Sequence, residues 1–175
     1  KTRVAFCTGR KFYDLVGVVD ELELEGPHIV CGGAQLIKRG GEVVWEKLIP
    51  ADLAKDVYGY FTEKEKMVHI KQGKYHYVDS RFFTKAKKLW GKRFLLRRTE
   101  ELANWEVPQV VVIDIADEDI EWLERLGLAV GKSRSSSNKW WICDVMAHGV
   151  NKQEGILQWL KHTGLKREQV VGVGD

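Results

Sequence analysis

Two short apolar runs near the start of the chain each stop on glycine, with one stretch of helical periodicity between them. Val4-Ala5-Phe6-Cys7 runs into Thr8-Gly9-Arg10, and His28-Ile29-Val30-Cys31 into Gly32-Gly33. Between them, Lys11 to Leu22 places Phe12, Leu15, Val18 and Val19 on one helical side. Strand, helix and strand at this spacing predict a βαβ unit, and so a parallel sheet. The end of the chain repeats the pattern in reverse order. Asn151-Lys152-Gln153-Glu154-Gly155 opens an amphipathic helix carrying Ile156, Leu157 and Leu160, and Val170-Val171-Gly172-Val173 reads as a buried strand stopping on Gly174-Asp175. The predicted class is α/β.

Open α/β sheets bind ligands at the carboxyl ends of their strands. Lys152 at a helix start and Asp175, 23 residues further on at a strand end, bring a cation and a carboxylate to that edge. A phosphate beside a divalent metal needs both charges. Thr8 and Gly9 add a hydroxyl and exposed backbone N–H groups, the usual furniture of an anion site. Plain helix capping by Thr8 is the competing reading. A lysine in the first turn of a helix opposes the macrodipole, which argues for a role other than helix stability.

Pro50 opens a different region. Ala51 to Phe61 is predicted as a helix, Met67–Ile70 and Tyr75–Val78 as a hairpin around Gly73, and Val110–Ile115 as a strand. Asp117 is the expected cap of a helix bearing Ile120, Leu123 and Leu126 and ended by Gly127. Leu128–Val130 and Trp140–Val145 are expected strands around a polar loop, and 79–106 takes no firm assignment. Residues 50–145 therefore read as an α/β insertion within a sheet-and-helix core.

A formal charge of +3, from 28 basic and 25 acidic residues, is too balanced to point to nucleic acid, and no apolar run reaches membrane-spanning length. Three cysteines without CxxC spacing, two of them in apolar runs, read as reduced buried thiols and point to the cytoplasm. The five histidines show no metal-ligand spacing. The chain opens on Lys1 almost at its first strand and closes on a candidate functional acid. It reads as an interior piece of a longer protein, or as one cut at both ends.

The segments CTGR (7–10), PHIVCGGAQLI (27–37), GVNKQEGILQWLKHTGL (149–165) and VVGVGD (170–175), in this order, resemble the haloacid dehalogenase superfamily and its Cof-like phosphatases with a large α/β cap. The resemblance implies a partial Rossmann-like parallel core over 1–49 and 146–175, and an inserted α+β cap over 50–145. It implies that Thr8 binds the transferred phosphoryl group, that Lys152 neutralises it, and that Asp175 helps hold Mg²⁺. Gly9, Gly32 and Gly33 would line the phosphate side, and Arg10 is either a second anion contact or a surface charge. Gly32 stands where the family usually has Asn, so only backbone contact is expected there. Lys132, Arg134 and Ser135 are candidate contacts to the leaving group of a small-molecule phosphate ester, or alternatively part of a solvated turn. The family's Asp-x-Asp-Gly-Thr run, whose first aspartate is phosphorylated, does not occur in these residues. The expectation is a Mg²⁺-dependent phosphatase for a sugar-phosphate-like metabolite, with the nucleophile upstream of Lys1 and this chain alone inactive. A non-catalytic ligand-binding or interaction module and a phosphomannomutase-like phosphotransferase stay open beside it. A nucleic-acid role for the basic stretch 85–98 ranks third.

Overall fold

Most strands pair with a sequence neighbour, which favours antiparallel ladders. In the computed structural model, which describes residues 2–134 and 140–174, β1 (His28–Val30), β2 (Gln35–Ile37) and β3 (Val43–Glu46) form a three-stranded antiparallel sheet in that order. The predicted β2–β3 hairpin turns through Gly41, whose φ of +85° few other residues adopt without strain. The predicted helix from Lys11 is split into a 3-10 turn, Phe12–Asp14, and α1 (Val16–Glu21). Phe12, Leu15 and Val19 are buried, whereas Val18 is exposed.

His28 is wholly buried and fixes the opening segment. Its Nδ1 accepts from the Phe6 N–H (3.2 Å), and its Nε2 is paired with the Leu24 carbonyl (3.2 Å). A neutral imidazole with the proton on Nε2 satisfies both, and burial lowers the pKa accordingly.

The larger sheet has six strands in the order β6 (Leu96–Arg98), β5 (Tyr75–Val78), β4 (Val68–Gln72), β7 (Gln109–Ile113), β9 (Trp141–Met146) and β8 (Ala129–Arg134). All its pairs are antiparallel except β5–β6. One face carries Val68, Ile70, Val110, Val112, Cys143 and Val145. It shares the main core with Val57 and Phe61 of α2 (Ala51–Glu63) and Leu123 of α4 (Asp117–Arg125). Side chains alternate across a strand, and the register aligns the other face in rows. His76, Lys71 and Gln109 form one row, and His69, Val111 and Asp144 the next. The unassigned 79–106 contains α3 (Ser80–Trp90), capped by the Asp79 carboxylate accepting from the Arg81 N–H (2.8 Å), and then β6. The last helix, α5 (Lys152–Thr163), is capped by Asn151, whose Oδ1 accepts from the Glu154 N–H (2.8 Å), and ends at Gly164 in the left-handed region.

Three expectations change. The parallel sheet expected around 3–7, 28–31 and 170–173 appears, among the described residues, as a single parallel bridge between Cys7 and Ile29. The Ile29 N–H donates to Phe6 O (2.7 Å) and the Thr8 N–H to Ile29 O (3.0 Å). Residues 170–173 are not a strand, and Val171 and Val173 are exposed. Nor does Asp117 cap α4. The cap position is Ala116, and its N–H donates to the Asp119 carboxylate (3.0 Å) from inside the first turn. Asp119 is buried and also accepts from Tyr60 and Lys64, so it can serve the helix start and the α2 contact together.

Candidate active site

The Thr8–Arg10 loop is cross-braced to the turn after β1. The Gly32 N–H donates to Thr8 O (3.0 Å), and the Cys31 N–H to Arg10 O (2.8 Å). The Thr8 hydroxyl accepts from the Arg10 N–H (3.2 Å), so the local turn role is real, and the O–H proton is still available to a ligand. Gly32 (φ +69°) and Gly33 (φ +107°) turn the chain toward α5. A Cβ at Gly33 would lie 2.1 Å from Asn151 O, and one at Gly155 only 2.6 Å from Ile29 Cγ2. These two glycines let the start of α5 approach the turn backbone to backbone, and that approach sets where Lys152 stands.

Two adjoining cavities open here. The larger, about 810 Å³, is lined by Thr8, Gly9 and Arg10 on one side and by the polar face of the six-stranded sheet on the other. The smaller, about 370 Å³, is lined by Gly9, Gly32, Gly131, Asp144 and Lys152 among others. Gly9 and Asp144 belong to both. Thr8 and Lys152 thus stand on neighbouring cavities. The Lys152 charge also reaches the residue before Thr8: burial raises the Cys7 pKa, and Lys152 opposes the rise.

The other expected contacts divide. Arg134 borders the large cavity, with its guanidinium 3.9 Å from the centroid of the Trp141 ring. Trp140 borders the same cavity. Lys132 lines neither cavity. It lies opposite Cys143 in the register, and its ammonium pairs with Asp117 of α4 at 2.7 Å, on the far face of the sheet. Gly33 is a packing residue rather than a lining one. Ser135 and Asp175 lie outside the described residues.

Several residues that line the site carried no signal in the sequence. Lys71 is buried, and its ammonium donates to Gly9 O (2.8 Å) and Gln109 Oε1 (2.7 Å) and lies 3.7 Å from Asp144. Burial raises the Asp144 pKa, and Lys71 and Lys152 both pull it back. Lys11 is buried as well; it donates to Lys74 O and pairs with Asp14 at 3.7 Å. Asp14 in turn faces His76 at 3.3 Å. Val-His-Ile-Lys-Gln at 68–72 alternates apolar and polar, the pattern of a strand with one wet face. Here the polar face is roofed by the loop from the chain start, and no local pattern announces such a roof.

Neither buried thiol suits nucleophilic attack, since burial pushes both Cys31 and Cys143 up to about 12. Among the described residues no group of three or more His, Cys, Asp or Glu gathers as a metal site. Asp144, the carboxylate common to both cavities, is already paired with Lys71. The described side chains therefore do not by themselves fit a divalent cation.

No curated protein matches the sequence. Solved structures do. A haloacid dehalogenase-like hydrolase from Bacteroides thetaiotaomicron superimposes with a TM-score of 0.76 at 18% identity, over 99% of this chain and 68% of that one. A sugar phosphatase of haloacid dehalogenase subclass IIB gives 0.74 at 23%, over 95% and 65%. A Cof-like hydrolase from Plasmodium vivax gives 0.71 at 19%, over 98% and 65%. The chain thus spans about two thirds of the length of these structures, and at such identities the likeness is one of fold. The sequence family of haloacid dehalogenase-like hydrolases matches from residue 1 to residue 175, and this chain belongs to it.

Proposed function

We propose that this chain supplies the phosphate-gripping part and the substrate-selecting part of a Mg²⁺-dependent phosphatase for small phosphate esters. The reading divides it into a core, 1–49 and 146–175, built on the Rossmann-like parallel plan, and a cap, 50–145. Thr8 and the backbone of Gly9 and Gly32 hold the phosphoryl oxygens, and Lys152 offsets their charge. Arg10 and Arg134 border the space for the leaving group. The observation that carries the reading is the meeting of the Thr8–Gly9 loop and the start of α5 on two cavities with Gly9 and Asp144 in common. Phosphoryl transfer asks mainly for positioning and for cancellation of charge, which such an arrangement provides.

Mg²⁺ enters through the family and through Asp175. When bound, it would supply neutralisation of the phosphate charge, with Asp175 as the candidate residue to hold it. On this reading the nucleophile would be the first aspartate of the family's Asp-x-Asp-Gly-Thr run, which does not occur among these residues.

The test measures inorganic phosphate released by the complete gene product from hexose phosphates and p-nitrophenyl phosphate, with Mg²⁺ and with EDTA. Lys152→Ala should lower kcat/KM by about 100-fold or more, the loss seen when one charge-stabilising group leaves a preorganised site. Equal turnover by Lys152→Ala and wild type would overturn the reading. Phosphate binding without turnover by the complete protein would favour a ligand-binding module instead.

A further inference from the structure

Three histidines of this fold are buried, His28, His69 and His76, and the first two contrast. His28 has a partner on each ring nitrogen and belongs to the framework. His69 is only 7% exposed, and neither Nδ1 nor Nε2 has a hydrogen-bond partner. A buried polar group left unpaired costs about 1–3 kcal/mol, so an imidazole in this state calls for an explanation. Its position offers one, because His69 lies on the wall of the 810 Å³ cavity. The ring is clamped edge-on by His76 (centroids 5.3 Å, 82°) and by Trp90 (5.4 Å, 76°), so its orientation is set before any ligand arrives.

The surroundings narrow the ligand chemistry. Burial holds His69 neutral, and His76, Lys71 and Lys11 push in the same direction. A neutral imidazole offers one donor and one acceptor, which matches a hydroxyl and not a second phosphate. In the same cross-strand row, two strands away, stands the Asp144 carboxylate. Two strand spacings place their backbones roughly 10 Å apart, a span that a sugar ring with its hydroxyls can bridge. Asp144 accepts from hydroxyls and repels a second anion. Lys71, in the neighbouring row, is already committed to Gly9 O, Gln109 and Asp144.

The geometry points to His69 as a specificity-determining residue that reads a neutral hydroxyl on the leaving group, with Asp144 as the second anchor. The inference rests on the phosphatase reading and goes beyond it by naming the residue that selects a hydroxylated leaving group.

The test compares kcat/KM of the complete protein for glucose 6-phosphate and for cyclohexylmethyl phosphate, which has a similar ring without hydroxyls. Wild type should prefer the sugar, and His69→Phe should shrink that preference about tenfold, the worth of one well-placed hydrogen bond. His69→Asn or His69→Gln should restore part of it. A preference unchanged in His69→Phe overturns the inference and leaves the phosphatase reading intact. Hydrolysis of neither ester counts against the phosphatase reading instead. A second measurement stands apart from turnover and from variants. The His69 ring ¹⁵N resonances of the wild-type protein should shift when glucose 6-phosphate, fructose 6-phosphate or ribose 5-phosphate is added. Ring nitrogens unmoved by all three would sink the assignment.

Discussion

Lys71 ties three groups together that share no sequence neighbourhood. Its ammonium holds the Gly9 carbonyl, the Gln109 amide and the Asp144 carboxylate against one another. Lys71→Met keeps the volume of the stem and removes all three links. Breaking a fully buried ion pair costs about 3–5 kcal/mol. Asp144 retains 23% side-chain exposure, so the expected loss in urea unfolding is smaller, about 2–3 kcal/mol. A loss under ~0.5 kcal/mol would show that solvent replaces the ammonium there. Gly33→Ala is the harsher change. The new Cβ would meet the backbone of Asn151, which cannot rotate away, at a φ that disfavours any side chain. The expected loss is about 3 kcal/mol or more, read from the same unfolding curves. These residues also mark what the sequence disclosed. The turn at Gly32 and the helix start at Lys152 were legible because glycine turns and helix starts announce themselves locally, while the role expected of Thr8 came from the family resemblance. His69, Lys71 and Asp144 were not, because alternation along a strand signals two faces and says nothing of which face is later covered.

At the scale of elements, most expected helices and strands form near their predicted positions, and the two strands that do not fail for a physical reason. The pattern of α2 and α4 is fixed within one stretch of chain, and both form near their predicted positions. A strand needs a partner for its N–H and C=O groups. Residues 3–7 find one bridge to β1, and 170–173 find none among the described residues, although the composition of both favours strand. The α3–β6 region was obscured by basic residues interleaved with aromatics, and only the Asp79 cap marks its start. Two substitutions test the helices. Gly59 lies inside α2 with open space around the position of a Cβ. Gly59→Ala should stabilise the protein by about 0.5–1 kcal/mol through helix propensity. Asn151→Ala should cost about 1 kcal/mol by removing the cap of α5. Thermal unfolding checks both, and a stabilising Asn151→Ala would mean that the cap bond does not form in solution.

For the whole molecule, acid should be destabilising well above the carboxylate range. His28, His69 and His76 all have depressed pKa values, for which burial is the first cause; the Leu24 carbonyl and Asp14 partly oppose it at His28 and His76. The folded state therefore binds fewer protons than the unfolded chain below the ordinary histidine value of 6.5. Stability is fully present above that value and falls as pH drops toward the folded-state values. Between pH 7.5 and 5.5 the loss should be about 1–3 kcal/mol, measured as the change in urea unfolding free energy. His69→Phe should remove about 1 kcal/mol of this dependence. Equal stability at the two pH values would mean that these rings take up as many protons in the folded protein as in the unfolded chain, so that burial does not lower their pKa. Asp79, held low by Arg81, and Asp119, where burial raises the pKa but Lys64, the Ala116 N–H and Tyr60 together outweigh it, add a further loss only at more acidic pH.

The six-stranded sheet has one oily side and one side lined with His69, Lys71, His76, Gln109 and Asp144. Cohesion with α2 and α4 is concentrated on the first, and chemical recognition on the second. A cavity-lining residue without a hydrogen bond of its own, such as His69, can therefore be exchanged while 68 and 70 stay untouched. A lineage built on this plan is free to try new substrates on one side without reopening the question of whether the protein folds.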